Sequence, residues 1–313
     1  MILTITPNPS IDYLFEADML CWDDANRVEM PRRRAGGQGI NLTRAARVLG
    51  GESIALAFFG GDSGEQLKSI LRAEGTPFID VPIDAETRVF FGVRETATGR
   101  SMLVNARGAI LSDHDRLRLL ARVQQACEEL KPDWVVCSGS VPRGIGDDLY
   151  AEIADMVHAH GLRFVVDCDG AQLTNAVAKG CDLIAPNQHE AERLSYLSIP
   201  TATEAITAAN SLRSVAAEVY IKLGADGAVA ASRAGTWVAH GPQMQSGSAV
   251  GAGDAFLAAL LVAKEKGAPL EEALQSAVAA GTAVLKSRGS DLITRSDYDE
   301  TLREVQLTQV NAS

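Results

Sequence analysis

Residues 249–256 are Ala-Val-Gly-Ala-Gly-Asp-Ala-Phe (AVGAGDAF), one carboxylate directly behind two glycines at the entrance of an apolar run. Gly251 and Gly253 flank Ala252 and lead directly into Asp254 and an apolar run. Glycines at such a turn let backbone N–H groups approach an anion closely, and a helix starting there adds the positive end of its dipole. In open α/β sheets these turns lie at the carboxyl ends of strands, where ligands sit. The chemical reading is that the amides of Gly251, Ala252 and Gly253 hold a phosphoryl group in transfer while Asp254 takes a proton from an attacking hydroxyl. The plain structural alternative is an acid in a helix's first turn, worth about 0.3–1 kcal/mol against the dipole. The sequence contains no G-x-x-x-x-G-K-[ST] loop, and no G-x-G-x-x-G fingerprint follows its first strand.

A second glycine cluster, Gly36-Gly37-Gln38-Gly39-Ile40-Asn41, opens a helix expected over Asn41–Leu49. Its amides and the Asn41 side chain suit sugar hydroxyls, and so does Asp12, which is expected in a turn after the first strand. Between the clusters, short apolar runs such as Ser53–Phe59, Trp134–Ser138, Phe164–Asp167 and Val219–Leu223 alternate with helix-like stretches. That rhythm predicts βαβ units around a mostly parallel sheet. The segment from Ala252 to Leu285 is Ala- and Leu-rich, and it predicts two helices broken at Gly267-Ala268-Pro269. Residues 11–35 and 88–104 instead alternate apolar and polar positions with no helix after them, which predicts a small antiparallel sheet projecting as a lid. One domain is expected to span residues 1–313.

Composition narrows the partners. Among 313 residues, 29 are basic and 40 acidic, so the net charge is -11 and nucleic acid and anionic membrane are both disfavoured. No apolar run approaches the roughly 18 residues that a membrane span requires. The five cysteines are scattered without a C-x-x-C pair and read as reduced thiols of a cytoplasmic protein. An anionic substrate needs local cations against this acidic field, and Arg27 with the run Arg32-Arg33-Arg34 offers them. The pair His158 and His160 is read as surface residues rather than as a metal site.

Taken together, these motifs resemble the ribokinase/PfkB family of sugar kinases from Thr4 to about Tyr298. The two glycine stretches match its two signatures, and Asn187-Gln188-His189-Glu190 looks like its N-x-x-E element. Lys222-Leu223-Gly224-Ala225-Asp226-Gly227 resembles the loop beside the nucleotide. The resemblance implies a ribokinase-like three-layer α/β/α fold with a β-sheet lid. It implies ATP as donor, Mg2+ held by Asn187 and by Glu190 through water, Asp254 as base, and Lys222, Gly224 and Gly227 near the nucleotide. It places Asp12, Gly36, Gly37 and Asn41 on the sugar. Within the family, TPNPSID at 6–12 and SGSVPRG at 138–144 look most like the phosphofructokinase and tagatose-phosphate kinase branch. That branch implies a phosphorylated ketohexose (fructose 1-phosphate, fructose 6-phosphate or tagatose 6-phosphate) bound through Arg27, Arg88 and Ser140. It also implies a homodimer formed through the lid. Gln38, Ala185, Lys222 and Ala255 depart from the branch's usual residues and leave the choice of sugar open. A kinase for an unphosphorylated sugar or a nucleoside, and a catalytically weak sugar-phosphate sensor, are the competing readings.

Overall fold

The computed structural model describes residues 1–244, 250–286 and 292–310, so Ala249 of the opening stretch lies outside the described residues. In chain order the first strands and helices are β1 (Ile2–Thr6), β2 (Ser10–Ala17), β3 (Arg32–Gly36), α1 (Gln38–Val48), β4 (Ser53–Phe59), α2 (Gly61–Ala73), β5 (Phe78–Pro82), β6 (Arg88–Glu95) and β7 (Ser101–Asn105). Next come α3 (Asp113–Leu130), β8 (Trp134–Ser138), α4 (Leu149–Ala159), β9 (Arg163–Asp167), α5 (Gly170–Val177), β10 (Cys181–Ile184), α6 (Gln188–Ser195), α7 (Ala202–Leu212) and β11 (Ala216–Lys222). The chain finishes with β12 (Ala228–Ser232), β13 (Gly235–His240), α8 (Ala252–Glu265), α9 (Leu270–Ala283), α10 (Arg295–Glu304) and β14 (Gln306–Val310).

One sheet has ten strands in the order β14-β13-β12-β11-β10-β9-β8-β1-β4-β5. The strands from β11 to β5 run parallel, and the three at the other edge pair antiparallel. Buried parallel strands must be largely apolar on both faces, and the central β1, β8 and β9 are. Leu3, Ile5, Val135 and Cys137 pack toward α3, α4, α5 and α7, whereas Ile2, Trp134 and Val136 pack toward α1, α8 and α9. Leu67 and Leu71 of α2 join Ile40 of α1 over Ala55, Ala57 and Phe59. The result is the three-layer α/β/α arrangement expected. The break between α8 and α9 falls at Lys266–Pro269, as the glycine and proline there predict.

A separate four-stranded sheet has the order β3-β2-β6-β7. Its two segments lie where the alternation put them, with one correction. The outer pairs are antiparallel, but the central pair β2 and β6 is parallel, with Ser10 opposite Arg88. Alternation records which face is buried and says nothing of direction, which depends here on a partner 78 residues away in sequence (10 to 88). Asp12 is a second correction. The chain reverses at Pro7-Asn8-Pro9 and resumes as β2 at once, so Asp12 lies within a strand, paired with Arg34 and Phe90, and not in a turn. No helix among the described residues is long and apolar enough to cross a membrane.

Candidate active site

The sugar-facing candidates converge where β2, β3 and α1 meet. Asp12 is 5% exposed; its Oδ1 accepts from Ser10 Oγ at 2.6 Å and its Oδ2 accepts from Arg34 at 3.2 Å. A Cβ on Gly36 would stand 2.1 Å from Asp12 Oδ1, so only glycine leaves the carboxylate in place. Gly37 has a φ of 116°, a conformation that side chains rarely adopt, and it lets α1 start directly after β3. The Asn41 amide N–H donates to Gly37 O at 2.9 Å, and this carries the Asn41 side chain to the opposite wall.

That wall is the first turn of α8. Asn41 Nδ2 donates to Asp254 Oδ2 at 2.8 Å, joining residues 213 apart in sequence. Gly251 has a φ of 86°, and a Cβ on it would lie 2.5 Å from Leu292, so both backbone and space require glycine. The first-turn amides of a helix lack intrahelical partners, so those beside Asp254 are free to bind an anion. Asp254 is 5% exposed. Burial first, and then the nearby Asp167 carboxylate, push its carboxyl up to about 7; Asn41, Lys222 and Arg34 oppose that rise. An aspartate titrating near neutrality is matched to proton transfer.

Asp167, at the end of β9, was not singled out from sequence. Its Oδ2 accepts from Ser138 Oγ at 3.3 Å, and its Oδ1 faces Lys222 Nζ at 3.4 Å. The available signal was position alone, an acid ending the buried strand Phe164–Asp167 at the sheet's carboxyl edge. Lys222 ends β11, and its backbone N–H donates to Pro186 O at 2.9 Å, beside Asn187. Asn187 caps α6: Asn187 Oδ1 accepts from the Glu190 backbone N–H, while the Glu190 carboxylate accepts from the backbone and side chain of Asn187. Burial pushes the Glu190 carboxyl up, and the carboxylates of Asp167 and Asp169 add to it. Gly224 and Gly227 follow Lys222 with φ of 62° and 85°, turning the chain into β12.

A third group gathers around Asn8. Its Nδ2 donates to Ser140 Oγ at 3.0 Å, and its carbonyl accepts from Arg88 Nε at 3.0 Å. Arg88 Nη1 donates to Asn105 Oδ1 at 3.1 Å. Burial lowers the Arg88 pKa, and the Asp12 carboxylate opposes that. Arg88 and Ser140 thus share one neighbourhood, which also contains Pro7, Pro9 and Pro142. Gly139 joins this group to the cleft. Its N–H donates to Asp167 O at 3.0 Å, and a Cβ on it would lie 3.3 Å from Gln38 Oε1. Arg27 is not brought together with them. It lies in the exposed stretch 21–30, outside every helix and strand, and no hydrogen bond or ion pair among the described residues ties it to Arg88 or Ser140.

A mostly parallel sheet with a small second sheet, and a buried acid at a glycine-rich helix start, define a ribokinase-like sugar kinase. The chain belongs to the pfkB family of carbohydrate kinases, whose sequence profile matches residues 7–296. It is 31% identical to 1-phosphofructokinase of Bacillus subtilis (strain 168), over 99% of this chain and 100% of that protein. It is 32% identical to ATP-dependent 6-phosphofructokinase isozyme 2 of Mycobacterium tuberculosis (strain CDC 1551 / Oshkosh), over 95% of this chain and 88% of that one. Its fold is similar to that of phosphofructokinase-2 from Escherichia coli in complex with fructose-6-phosphate, with a TM-score of 0.88, 29% identity and coverage of 96% and 98%. As a family member, this protein uses ATP as phosphoryl donor to a sugar.

Proposed function

We propose that this chain is one kinase domain that phosphorylates a free hydroxyl of a phosphorylated ketohexose. The observation that carries the proposal is Asp254, a buried carboxyl pushed up to about 7 at the start of α8 and bonded to Asn41. In this reading Asp254 removes the proton from the acceptor hydroxyl while the amides of the Gly251–Ala252–Gly253 turn neutralise charge on the group in transfer. Asp12, the Gly36 and Gly37 backbone and Asn41 hold the other sugar hydroxyls. Support comes from Asn41 Oδ1 and Arg34 Nε, buried polar atoms with no hydrogen-bond partner among the described residues. A polyhydroxyl ligand supplies such partners.

Arg88 and Ser140 are assigned to the substrate's own phosphate, Arg88 through Nη2, with Nε and Nη1 holding the guanidinium in place. Arg27 is assigned to the same phosphate by resemblance and requires the 18–31 loop to fold inward. Lys222, Gly224 and Gly227 lie beside the nucleotide. The acceptor differs between relatives, since one is named a 1-phosphofructokinase and another a 6-phosphofructokinase.

Mg2+ is assigned to Asn187 and Glu190. Mg2+ keeps several of its own waters and needs few protein ligands, so one side-chain amide and one carboxylate suffice to place it. Burial first, and then the carboxylates of Asp167 and Asp169, push the Glu190 carboxyl up, and a cation beside it would offset both. When bound, the ion supplies neutralisation of the donor phosphates.

The chain is taken to act as a homodimer through the small sheet, whose adjoining loop exposes Met19, Trp22 and Met30 while β7 exposes Leu103 and Val104. A cytoplasmic location accords with five free cysteines.

The test is ADP release with Mg-ATP against fructose 6-phosphate, fructose 1-phosphate, tagatose 6-phosphate, fructose, ribose and adenosine. Turnover confined to phosphosugars is the expected outcome. Turnover confined to an unphosphorylated acceptor would remove Arg88 and Ser140 from their assigned role, and binding of phosphosugar without turnover would favour a sensor.

A further inference from the structure

Lys222 is a cation aimed where a cation is poorly tolerated. Its side chain is 17% exposed, and a Cβ on Gly253 would lie 3.5 Å from Nζ, so the ammonium rests against the first turn of α8. That turn is the positive end of the helix dipole, and a lysine there is repelled. Asp167 Oδ1 at 3.4 Å offsets the repulsion in part. On the other side of the same turn stands Asn41, 6% exposed, with Nδ2 on Asp254 and Oδ1 unpartnered among the described residues. The ammonium and the turn's amides therefore lie close together, while Asn41 holds Asp254 from the other side. An anion between the ammonium and the amides resolves their mutual repulsion.

We propose that Lys222 is a catalytic residue whose ammonium touches the phosphoryl group in transfer, and that Asp167 is its positioning residue. The inference rests on the reading of Asp254 and the Gly251–Gly253 turn given above. In the step concerned, the acceptor oxygen bonds to the γ-phosphorus. The bond from that phosphorus to the oxygen bridging to ADP breaks, its electron pair leaves with ADP, and the acceptor's proton passes to Asp254. Negative charge on the transferring oxygens lies between the turn's amides and Lys222. Asp167 keeps Nζ from swinging out to solvent, a real hazard for a four-carbon stem.

The experiment compares wild type, Lys222→Met, Lys222→Arg and the double variant Asp167→Asn/Lys222→Met. Steady-state turnover is measured alongside calorimetric binding of Mg-ADP with and without aluminium fluoride, a mimic of the phosphoryl group in flight. The expected result for Lys222→Met is a kcat about 10²-fold lower, the loss typical of one preorganised donor. The tightening of Mg-ADP binding by aluminium fluoride should shrink by a similar factor, and Mg-ADP alone should bind within about threefold of wild type. Lys222→Arg should recover about tenfold over Lys222→Met. Asp167→Asn, added to Lys222→Met, should cost little more, because its target is gone. The double variant also carries the test if Lys222→Met leaves Asp167 buried, unpaired and the protein unfolded.

A kcat within threefold of wild type in Lys222→Met overturns the proposal. So does an equal loss of affinity for Mg-ADP with and without aluminium fluoride, which would make Lys222 a nucleotide anchor only. An Asp254→Asn control separates the two failures. If it is inert while Lys222→Met is unaffected, only this inference fails; if it retains a tenth or more of turnover, the underlying reading fails first.

Discussion

Strand β8 of the large sheet is buried at all five positions, whereas β7 of the small sheet is exposed at four of its five. The two sheets meet at one cleft and are held by different forces. Around β8, side chains of both faces bury against helices, and each fully buried Val or Ile contributes roughly 1.5–3 kcal/mol. The small sheet relies on paired charges and stacked rings: Asp12 with Arg34, Glu16 with Arg32, Glu95 with Arg100, Tyr13 stacked on Phe91 at 5.4 Å, and Arg33 over Tyr13. Of these, the pair of Glu16 with Arg32 is exposed on both sides and worth little, about 0–1 kcal/mol, while Asp12 with Arg34 is buried. The large sheet therefore fixes the proposed chemistry in place, and the small sheet is the part that binding can rearrange at low cost.

The sharpest way to break that division is Asp254→Asn. Loss of the base should lower kcat by about 10²–10⁴-fold with little change in sugar-phosphate affinity. In the wild type, kcat/KM should rise with pH through about 7, because only the ionised carboxyl accepts the proton. The stability effect has the opposite sense. A carboxyl raised by the fold stabilises most below its unfolded value, and that contribution is lost as pH rises through about 7. Asp254→Asn should therefore raise the unfolding free energy at pH 8 by about 2–4 kcal/mol, read by urea denaturation. An unchanged midpoint would show that the site carries no such strain.

Arg34→Leu addresses the buried exception in the small sheet. It strands the Asp12 carboxylate, 5% exposed, and should cost about 3 kcal/mol of stability while raising KM for the sugar by tenfold or more. Arg32→Leu, at an exposed pair, should cost less than about 1 kcal/mol and serves as the control. Equal losses would mean that the two pairs do not differ as their burial implies.

Trp22→Glu should leave the melting temperature of a dilute sample unchanged and shift the protein toward monomer in sedimentation, since Trp22 is 77% exposed. A monodisperse wild-type monomer would remove the dimer from consideration.

The smallest effect should come from Glu95→Gln. The Glu95 carboxylate accepts from the Leu20 N–H at 3.0 Å and from Thr98 and Arg100, which hold it well below the usual range, at about 2. It anchors the start of the 18–31 loop, so the expected change is faster amide exchange at Leu20 with no change in β8. A group lowered in this way stabilises above its unfolded value and is lost as pH falls toward 2, so the loop contact should persist across the neutral range.

How far the sequence could be read follows the same division. Gly36, Gly37, Gly251 and Asp254 were legible because each conformation is a local demand: a positive φ, a close approach, an acid at a helix start. Strands such as Trp134–Ser138 announced themselves by burial on both faces. The parallel pairing of β2 with β6 was not legible, because period-two alternation carries no direction. Asp167 and Lys222 are 55 residues apart and meet only through strand order, so neither alone signals the pair. Arg27 shows the converse: a resemblance assigned it a role, and its place in an exposed loop supplies no geometry for that role.

The Asn41 to Asp254 bond has a consequence for how the protein comes into being. On the ribosome, the N-terminal half with β1, α1 and the small sheet emerges long before α8, which begins at Ala252. A nascent chain can therefore bring Asp12, Gly36 and Asn41 together and assemble much of its sheet while lacking Asp254, the glycine turn and Lys222's neighbour Gly253. Contacts of such sequence separation close late. If Asp254 and its turn are the phosphoryl-transfer machinery proposed above, a nascent chain cannot spend ATP at this site until α8, in about the last fifth of the polypeptide, has been made.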